Sequence, residues 1–326
     1  MGEKMSSILA EVRNLTKEFP AGRGKKVHAV TDVSLQLFEG ETLGIVGESG
    51  CGKSTLGSMI AHLLPPTSGE LFVRGENVTK MTEREFMKYR RQIQLIFQDT
   101  NSSLDPRMTV RDVIAEPLET YHVCPDRKSV TEKVLELMDA VGVPGEFLYR
   151  YPHQFSGGQR QRIGIARAIA ADPSLIICDE PVSALDVSVQ NQILNLLKDL
   201  QRSGNLTYLF ISHDLSVIRY ISDRVGVIFL GKLCEVGDTR EVFKKPMHPY
   251  TRFLLDAIPK PDPHRRDDAV SLMQGEIPSP VDPPPGCRFH PLCPYATQKC
   301  TEEEPALNKA GTREIACHHP PGMKLP

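Results

Sequence analysis

The stretch Gly47-Glu48-Ser49-Gly50-Cys51-Gly52-Lys53-Ser54 constrains this chain more than any other eight residues. It follows the G-x-x-x-x-G-K-[ST] pattern of a phosphate-binding loop. Such a loop works only between a buried strand and the start of a helix, and both are legible here. Thr42 to Val46 is a short apolar run, and Lys53 to Leu64 reads as a helix until Pro65-Pro66 stops it. Gly47, Gly50 and Gly52 let backbone N–H groups converge on an anion without side-chain clash. The helix start adds roughly +0.5 charge at the same place. Lys53 is the expected contact to the β- and γ-phosphates, Ser54 the ligand of Mg²⁺, and Thr55 a donor to the α-phosphate. Glu48, Ser49 and Cys51 complete the cradle, with no redox role expected for Cys51.

Around the loop, strand and helix signals alternate. Leu9 to Leu15, Val33 to Phe38, Gly69 to Arg74 and Ile93 to Phe97 read as strands, and 110–148 as a helical stretch. Gln159 to Ala170 reads as a helix and Leu175-Ile176-Ile177-Cys178 as a buried strand. A helix over 188–201, a strand over 207–211 and a helix over 215–221 follow. Val225 to Leu230 and Lys232 to Val236, joined at Gly231, suggest a hairpin. This order predicts an α/β fold with a mostly parallel sheet and nucleotide at the carboxyl ends of its strands.

Asp179 emerges at the tip of the buried strand, where it can orient Mg²⁺ through its water shell. Glu180 follows at once, where a carboxylate can polarise an attacking water. Phe155-Ser156-Gly157-Gly158-Gln159 forms a second anion site, with the Ser156 hydroxyl, glycine amides and the start of the helix beginning near Gln159. One chain has no need of two anion sites for one nucleotide. Phe19, closing the first strand, is the candidate for stacking on adenine, with His28 a weaker one.

The phosphate loop, Phe155 to Gln159 and Leu175 to Glu180 together resemble the ATP-binding subunit of an ABC transporter. Phe155 departs from the leucine that usually opens that signature. The resemblance implies a P-loop ABC-type nucleotide-binding domain that binds ATP with Mg²⁺ and works as a head-to-tail dimer. Each copy's Ser156, Gly157, Gly158 and Gln159 then close over the γ-phosphate held by the other. It further implies a glutamine-loop role for Gln98, toward Mg²⁺ or the attacking water, a dimer-crossing loop at Ser183-Ala184-Leu185-Asp186, and a γ-phosphate switch at His213.

Gln98 to Arg107 and His248-Pro249-Tyr250-Thr251 narrow the resemblance to the oligopeptide and dipeptide importers, a group that includes nickel importers. Expected partners are a second related ATPase subunit or a second copy, two transmembrane permease subunits and, indirectly, an extracytoplasmic substrate-binding protein. The expected location is peripheral, on the cytoplasmic face of the membrane. The expected division is an ATPase domain over 1–258, its helical subdomain at about 99–172, and a short irregular extension over 259–326.

Prolines crowd the start of that extension and suggest a linker. It leads to Cys287-x5-Cys293-x6-Cys300-x16-Cys317. Four thiolates suffice for a [4Fe–4S] cluster or for tetrahedral zinc, and disulfides or free thiols are further readings. His290, His318 and His319 offer replacement ligands. The resemblance implies the [4Fe–4S] cluster.

Composition supports the exclusions. Lys and Arg number 39 against 41 Asp and Glu in 326 residues, so no basic field points to nucleic acid. Trp is absent, which disfavours a base-stacking surface. No apolar run approaches the ~20 residues that span a bilayer. A single cassette without long heptads argues against ABC ATPases that act on DNA or ribosomes.

Overall fold

The computed structural model describes residues 7–22, 24–98, 103–258 and 276–320. In chain order the strands are β1 (Ile8–Pro20), β2 (Lys26–Phe38), β3 (Thr42–Val46), β4 (Ser68–Val73), β5 (Glu76–Asn77) and β6 (Ile93–Ile96). After these come β7 (Leu175–Asp179), β8 (Thr207–Ser212), β9 (Arg224–Phe229), β10 (Lys232–Asp238), β11 (Asn308–Ala310) and β12 (Arg313–Ile315). The helices are α1 (Lys53–Ile60), α2 (Glu83–Arg90), α3 (Val110–Thr120), α4 (Arg127–Ala140) and α5 (Gly157–Ile169). The remainder are α6 (Val187–Gly204), α7 (Leu215–Ile221), α8 (Thr239–Lys244), α9 (Pro249–Asp256) and α10 (Gln298–Glu302).

These elements fall into two compact units. The first takes the described residues within 1–10, 37–41 and 73–210. Here β6 and β7 run parallel, with Ile93 opposite Leu175 and Ile96 opposite Cys178, and β8 follows β7 in the sheet. Burial of the first four β7 residues and all six of β8 explains their unbroken apolar character, since parallel strands are covered on both faces. Helix α5 packs against α3, α4, α6 and β6.

The helical stretch expected over 110–148 is two helices. Helix α3 ends at Thr120 with Tyr121 as its C-cap, and His122 turns into the left-handed region at φ 51°. Asp126 then caps α4 by accepting the N–H groups of Lys128 and Ser129, both at 2.9 Å. Val130, Val134, Leu137 and Met138 give α4 its buried face.

The second unit takes the described residues within 11–36, 42–72 and 211–326. Its main sheet runs β11-β12-β10-β9-β3, and β1 lies between β2 and β4 in the other. Strands β3 and β9 are parallel; the β9–β10, β10–β12 and β12–β11 pairs are antiparallel. The predicted hairpin at Gly231 is present. Its two turn residues, Leu230 at φ 43° and Gly231 at φ 79°, have the positive φ that a tight twisted hairpin demands.

The prolines predicted a linker after residue 258, and 259–275 lie outside the described residues. Beyond them the extension carries α10 and the β11–β12 hairpin, which forms in the proline-free window between Pro305 and Pro320. Strand β12 joins β10 with Glu235 opposite Ile315. Glu235 is fully buried, and its carboxylate accepts the N–H groups of Met247 (3.1 Å) and His248 (2.9 Å) and one from Arg313 (3.2 Å). Arg313 also donates to the Lys245 carbonyl at 2.7 Å. One buried carboxylate thus ties the extension to the segment preceding α9.

Candidate functional site

In the second unit the phosphate loop runs from β3 into α1. Gly50 (φ 77°) and Gly52 (φ 102°) sit in the left-handed region. A Cβ at Gly52 would fall 2.0 Å from the Ala29 carbonyl oxygen, and one at Gly47 would fall 2.2 Å from that of Ile228. Both glycines are therefore demanded by close backbone approach, and Gly52 by its conformation as well. Lys53 is nearly buried, and its Nζ donates to the Gly47 and Glu48 carbonyls at 2.8 and 2.7 Å. The lysine is thus folded over its own loop. Ser54 is exposed and Thr55 half-buried at the start of α1, where backbone N–H groups lack acceptors inside the helix. Ser49 is also exposed.

Cys51 is buried, with its thiol pushed up chiefly by burial, so it is a neutral packing group at ordinary pH. The Glu48 carboxyl is also raised by burial, with Lys53 opposing. Phe19 is half-buried near the end of β1, with the Lys17 ammonium 5.2 Å from its ring centre. His28 Nδ1 lies 3.2 Å from Glu18. His213 is exposed in the turn between β8 and α7.

The carboxylates and the Ser156 helix start lie in the first unit. Asp179 ends β7 half-exposed, and Glu180 follows in the left-handed region at φ 47°. Gln98 Nε2 donates to Glu180 Oε2 at 3.0 Å, bringing these two predicted residues together. Asp99 to Ser102, the next part of the expected glutamine loop, lie outside the described residues. Ser156 caps α5 in a reciprocal box: its hydroxyl accepts the Gln159 N–H at 3.3 Å, and Gln159 Oε1 accepts the Ser156 N–H at 3.0 Å. Gln159 is thus occupied in building the helix start.

Gly157 and Gly158 open that helix. A Cβ on Gly158 would lie 2.4 Å from Val189 Cγ1, so α6 can pack this close only against glycine. Phe155 is buried with its ring edge-on to Phe147 at 5.6 Å, which places the departure from leucine in the core. Asp186 caps α6 by accepting the Ser188 and Val189 N–H groups at 3.1 and 3.0 Å. Its carboxyl is held below the usual range, first by the bond from the Ser188 hydroxyl and then by these backbone N–H groups.

A family model described as "ABC transporter" matches residues 30–183, and one described as "Oligopeptide/dipeptide transporter, C-terminal region" matches 234–300. The chain is 50% identical over 312 residues to the putative oligopeptide transport ATP-binding protein YkfD of Bacillus subtilis, covering 95% of each. The chain belongs to the oligopeptide/dipeptide branch of the ABC transporter ATP-binding proteins. It is 47% identical over 319 residues to the oligopeptide transport ATP-binding protein OppF of Salmonella typhimurium, covering 95% of this chain and 96% of that one. A solved dimeric ATP-binding cassette in a post-hydrolysis state, bound to ADP and Pi, matches with a TM-score of 0.65 at 31% identity. That match covers 71% of this chain and 99% of the cassette. As a member of this ABC branch, the chain is an ATPase.

The cysteine-bearing extension of this ABC protein calls for a correction. The [4Fe–4S] cluster expected at Cys287, Cys293, Cys300 and Cys317, with zinc as its alternative, is not borne out. Among the described residues, no group of three or more His, Cys, Asp or Glu side chains is placed to hold a metal ion. Burial pushes Cys293 and Cys317 up to about 11 and raises Cys287 above its ordinary value. Local hydrogen bonds hold the extension together: Cys287 N–H to the Cys300 carbonyl (2.8 Å) and His319 N–H to Cys317 Sγ (3.3 Å).

His248 and Tyr250 stood out in the sequence only as a family motif. Both are buried in the second unit. His248 Nδ1 caps α9 by accepting the Tyr250 N–H at 3.1 Å, and burial depresses this imidazole to about 3. The Tyr250 hydroxyl reaches the phosphate loop, a contact that no sequence spacing announces.

Proposed function

We propose that this chain is one of two ATPase subunits that energise peptide import through a membrane ABC transporter. The observation carrying this reading is the joining, in one chain, of an ABC cassette and the oligopeptide/dipeptide C-terminal region. No helix among the described residues is long and apolar enough to cross a membrane, so the translocation path belongs to permease partners. Docking to them places the chain on the cytoplasmic face. An extracytoplasmic binding protein hands peptide to the permeases. Residues 1–258 act as the hydrolysing part, and 259–326 as an extension.

Each residue takes a part in this scheme. Lys53 neutralises the β- and γ-phosphates, loop amides and Thr55 hold the chain of phosphates, and Phe19 stacks on adenine. Ser54, exposed, and Asp179, half-exposed, each carry a hard oxygen of the kind Mg²⁺ prefers and would be its ligands. When bound, that ion offsets charge on the phosphate oxygens. Glu180 accepts a proton from the attacking water, Gln98 orients that carboxylate, and His213 meets the γ-phosphate. Ser156, Gly157 and Gly158 face the nucleotide of the other subunit, with Asp186 in the crossing loop. Reconstituted complex supplied with binding protein tests the cargo. ATP hydrolysis rising with peptide supports the reading; hydrolysis that responds to nickel and ignores peptides overturns it.

A further inference from the structure

The peptide group between Gly47 and Glu48 is held at both of its polar atoms. Its carbonyl oxygen accepts from Lys53 Nζ at 2.8 Å, while its N–H donates to Tyr250 Oη at 3.1 Å. The unit is planar and trans, so N–H and C=O point in opposite directions and can only turn together. Fixing the N–H therefore fixes the carbonyl that holds the lysine. The peptide follows a glycine, where the backbone has most freedom to rotate.

Tyr250 is well built to constrain it. The residue is fully buried. Its ring centre lies 4.7 Å from Phe229 of β9 and 5.4 Å from Phe289 of the C-terminal extension. Phe289 and Phe229 meet edge-on at 5.3 Å, which closes a three-ring cluster. The cap on α9 fixes the Tyr250 backbone from the other side. Burial raises the phenol well above its ordinary range, so the hydroxyl remains neutral with its oxygen free to accept.

We propose that Tyr250 is a positioning residue of the nucleotide site. By holding the Gly47–Glu48 peptide it aims the Lys53 ammonium, and Phe289 braces it from the extension. This rests on reading residues 47–54 as the ATP-binding loop. It gives the extension a part in nucleotide affinity, carried by one aromatic contact and one hydrogen bond. Tyr250 touches no reacting atom, so its effect falls on the ground-state grip on ATP and leaves the chemical step alone.

The test uses the full chain and its Tyr250→Phe variant, which keeps the ring and deletes the hydroxyl. ATP-dependent phosphate release and titration with a fluorescent ATP analogue are measured alongside thermal melting. KM for ATP and the analogue's Kd are expected to rise together by about three- to tenfold, the weight of one hydrogen bond. The kcat is expected to stay within about twofold, the pattern of lost uniform binding. Phe289→Leu, which loosens the brace, is expected to move KM the same way by less. The double variant should show no more than Tyr250→Phe alone, because both act through one contact. An unchanged KM in Tyr250→Phe overturns the proposal. So does a fall in kcat with a lower melting temperature at constant KM, which would mark Tyr250 as only a packing residue. Wild-type chain that neither binds nor hydrolyses ATP would sink the reading of the loop itself, an outcome distinct from either.

Discussion

Glu180 stands in the left-handed backbone region at φ 47°, a conformation that disfavours side chains with a Cβ. That strain costs about 1–2 kcal/mol for a residue other than glycine. Replacement by glycine recovers it, but returns about 0.5–1 kcal/mol through the freer unfolded chain. Loss of the 3.0 Å bond from Gln98, on an exposed side chain, removes about 0.5–1 kcal/mol more. The balance leaves Glu180→Gly within about 1 kcal/mol of the wild type, a melting shift of only about 2–4 °C. Activity should respond very differently. Without its carboxylate the water loses a proton acceptor, which lowers hydrolysis by roughly 10²–10⁴-fold, or about 3–5 kcal/mol of barrier. Glu180→Gln, similar in shape, is expected to lose as much hydrolysis while still binding ATP and accumulating the closed dimer. Urea melts read the stability, and phosphate release with gel filtration in ATP reads the function. Near-wild-type hydrolysis by Glu180→Gln would refute the assignment of the base. A loss above about 2 kcal/mol in Glu180→Gly would refute the strain argument.

Two further outcomes concern the second unit. Glu235→Ala strands the buried His248 N–H, the part-buried Met247 N–H and the buried Arg313 guanidinium, so urea melts should show a loss of about 3–5 kcal/mol. Adding Arg313→Met should recover part of it, because the second change removes the orphaned charge. His248, depressed to about 3 from an ordinary 6.5, contributes stability that is fully present above pH 6.5 and drains away as pH falls toward 3. His248→Asn keeps a cap on α9 without a titrating ring. The wild type should therefore lose roughly 2 kcal/mol more than the variant between pH 8 and pH 5, by melts at the two pH values.

The parts legible in the sequence are those whose chemistry needs contiguous residues. The phosphate loop, β3 and α7 lie where the pattern put them, because glycine spacing and unbroken apolar runs are local signals. Helix α2 escaped notice although Thr82 and Glu85 form a readable capping box. Only Phe86 and Tyr89 of its eight residues are buried, so it offers little apolar period. The break between α3 and α4 depends on His122 adopting a positive φ, which composition does not encode. Strands β11 and β12, at three residues each, are too short to show alternation; β12 exists through pairing with β10, and β11 through pairing with β12. At the site, Asp179 and Glu180 were readable as a strand tip, whereas the grip of Tyr250 on Glu48 spans 202 residues of chain. The cysteines show the reverse error. Four thiols in one segment suggested a metal, but spacing does not show how the folded side chains are placed, and among the described residues no group of them is placed to hold one.

The β11–β12 hairpin has a consequence for how the molecule keeps to itself in a crowded cell. Strand β10 would otherwise present a rim of unsatisfied amides and carbonyls, the kind of template on which sheets of separate molecules stitch together. By laying β12 there and following it with a three-residue β11, the chain trades a long sticky border for a short one. Removing the extension would therefore promote clumping before it cost any catalytic group, and Lys309 on the outermost strand adds a charge that discourages further growth.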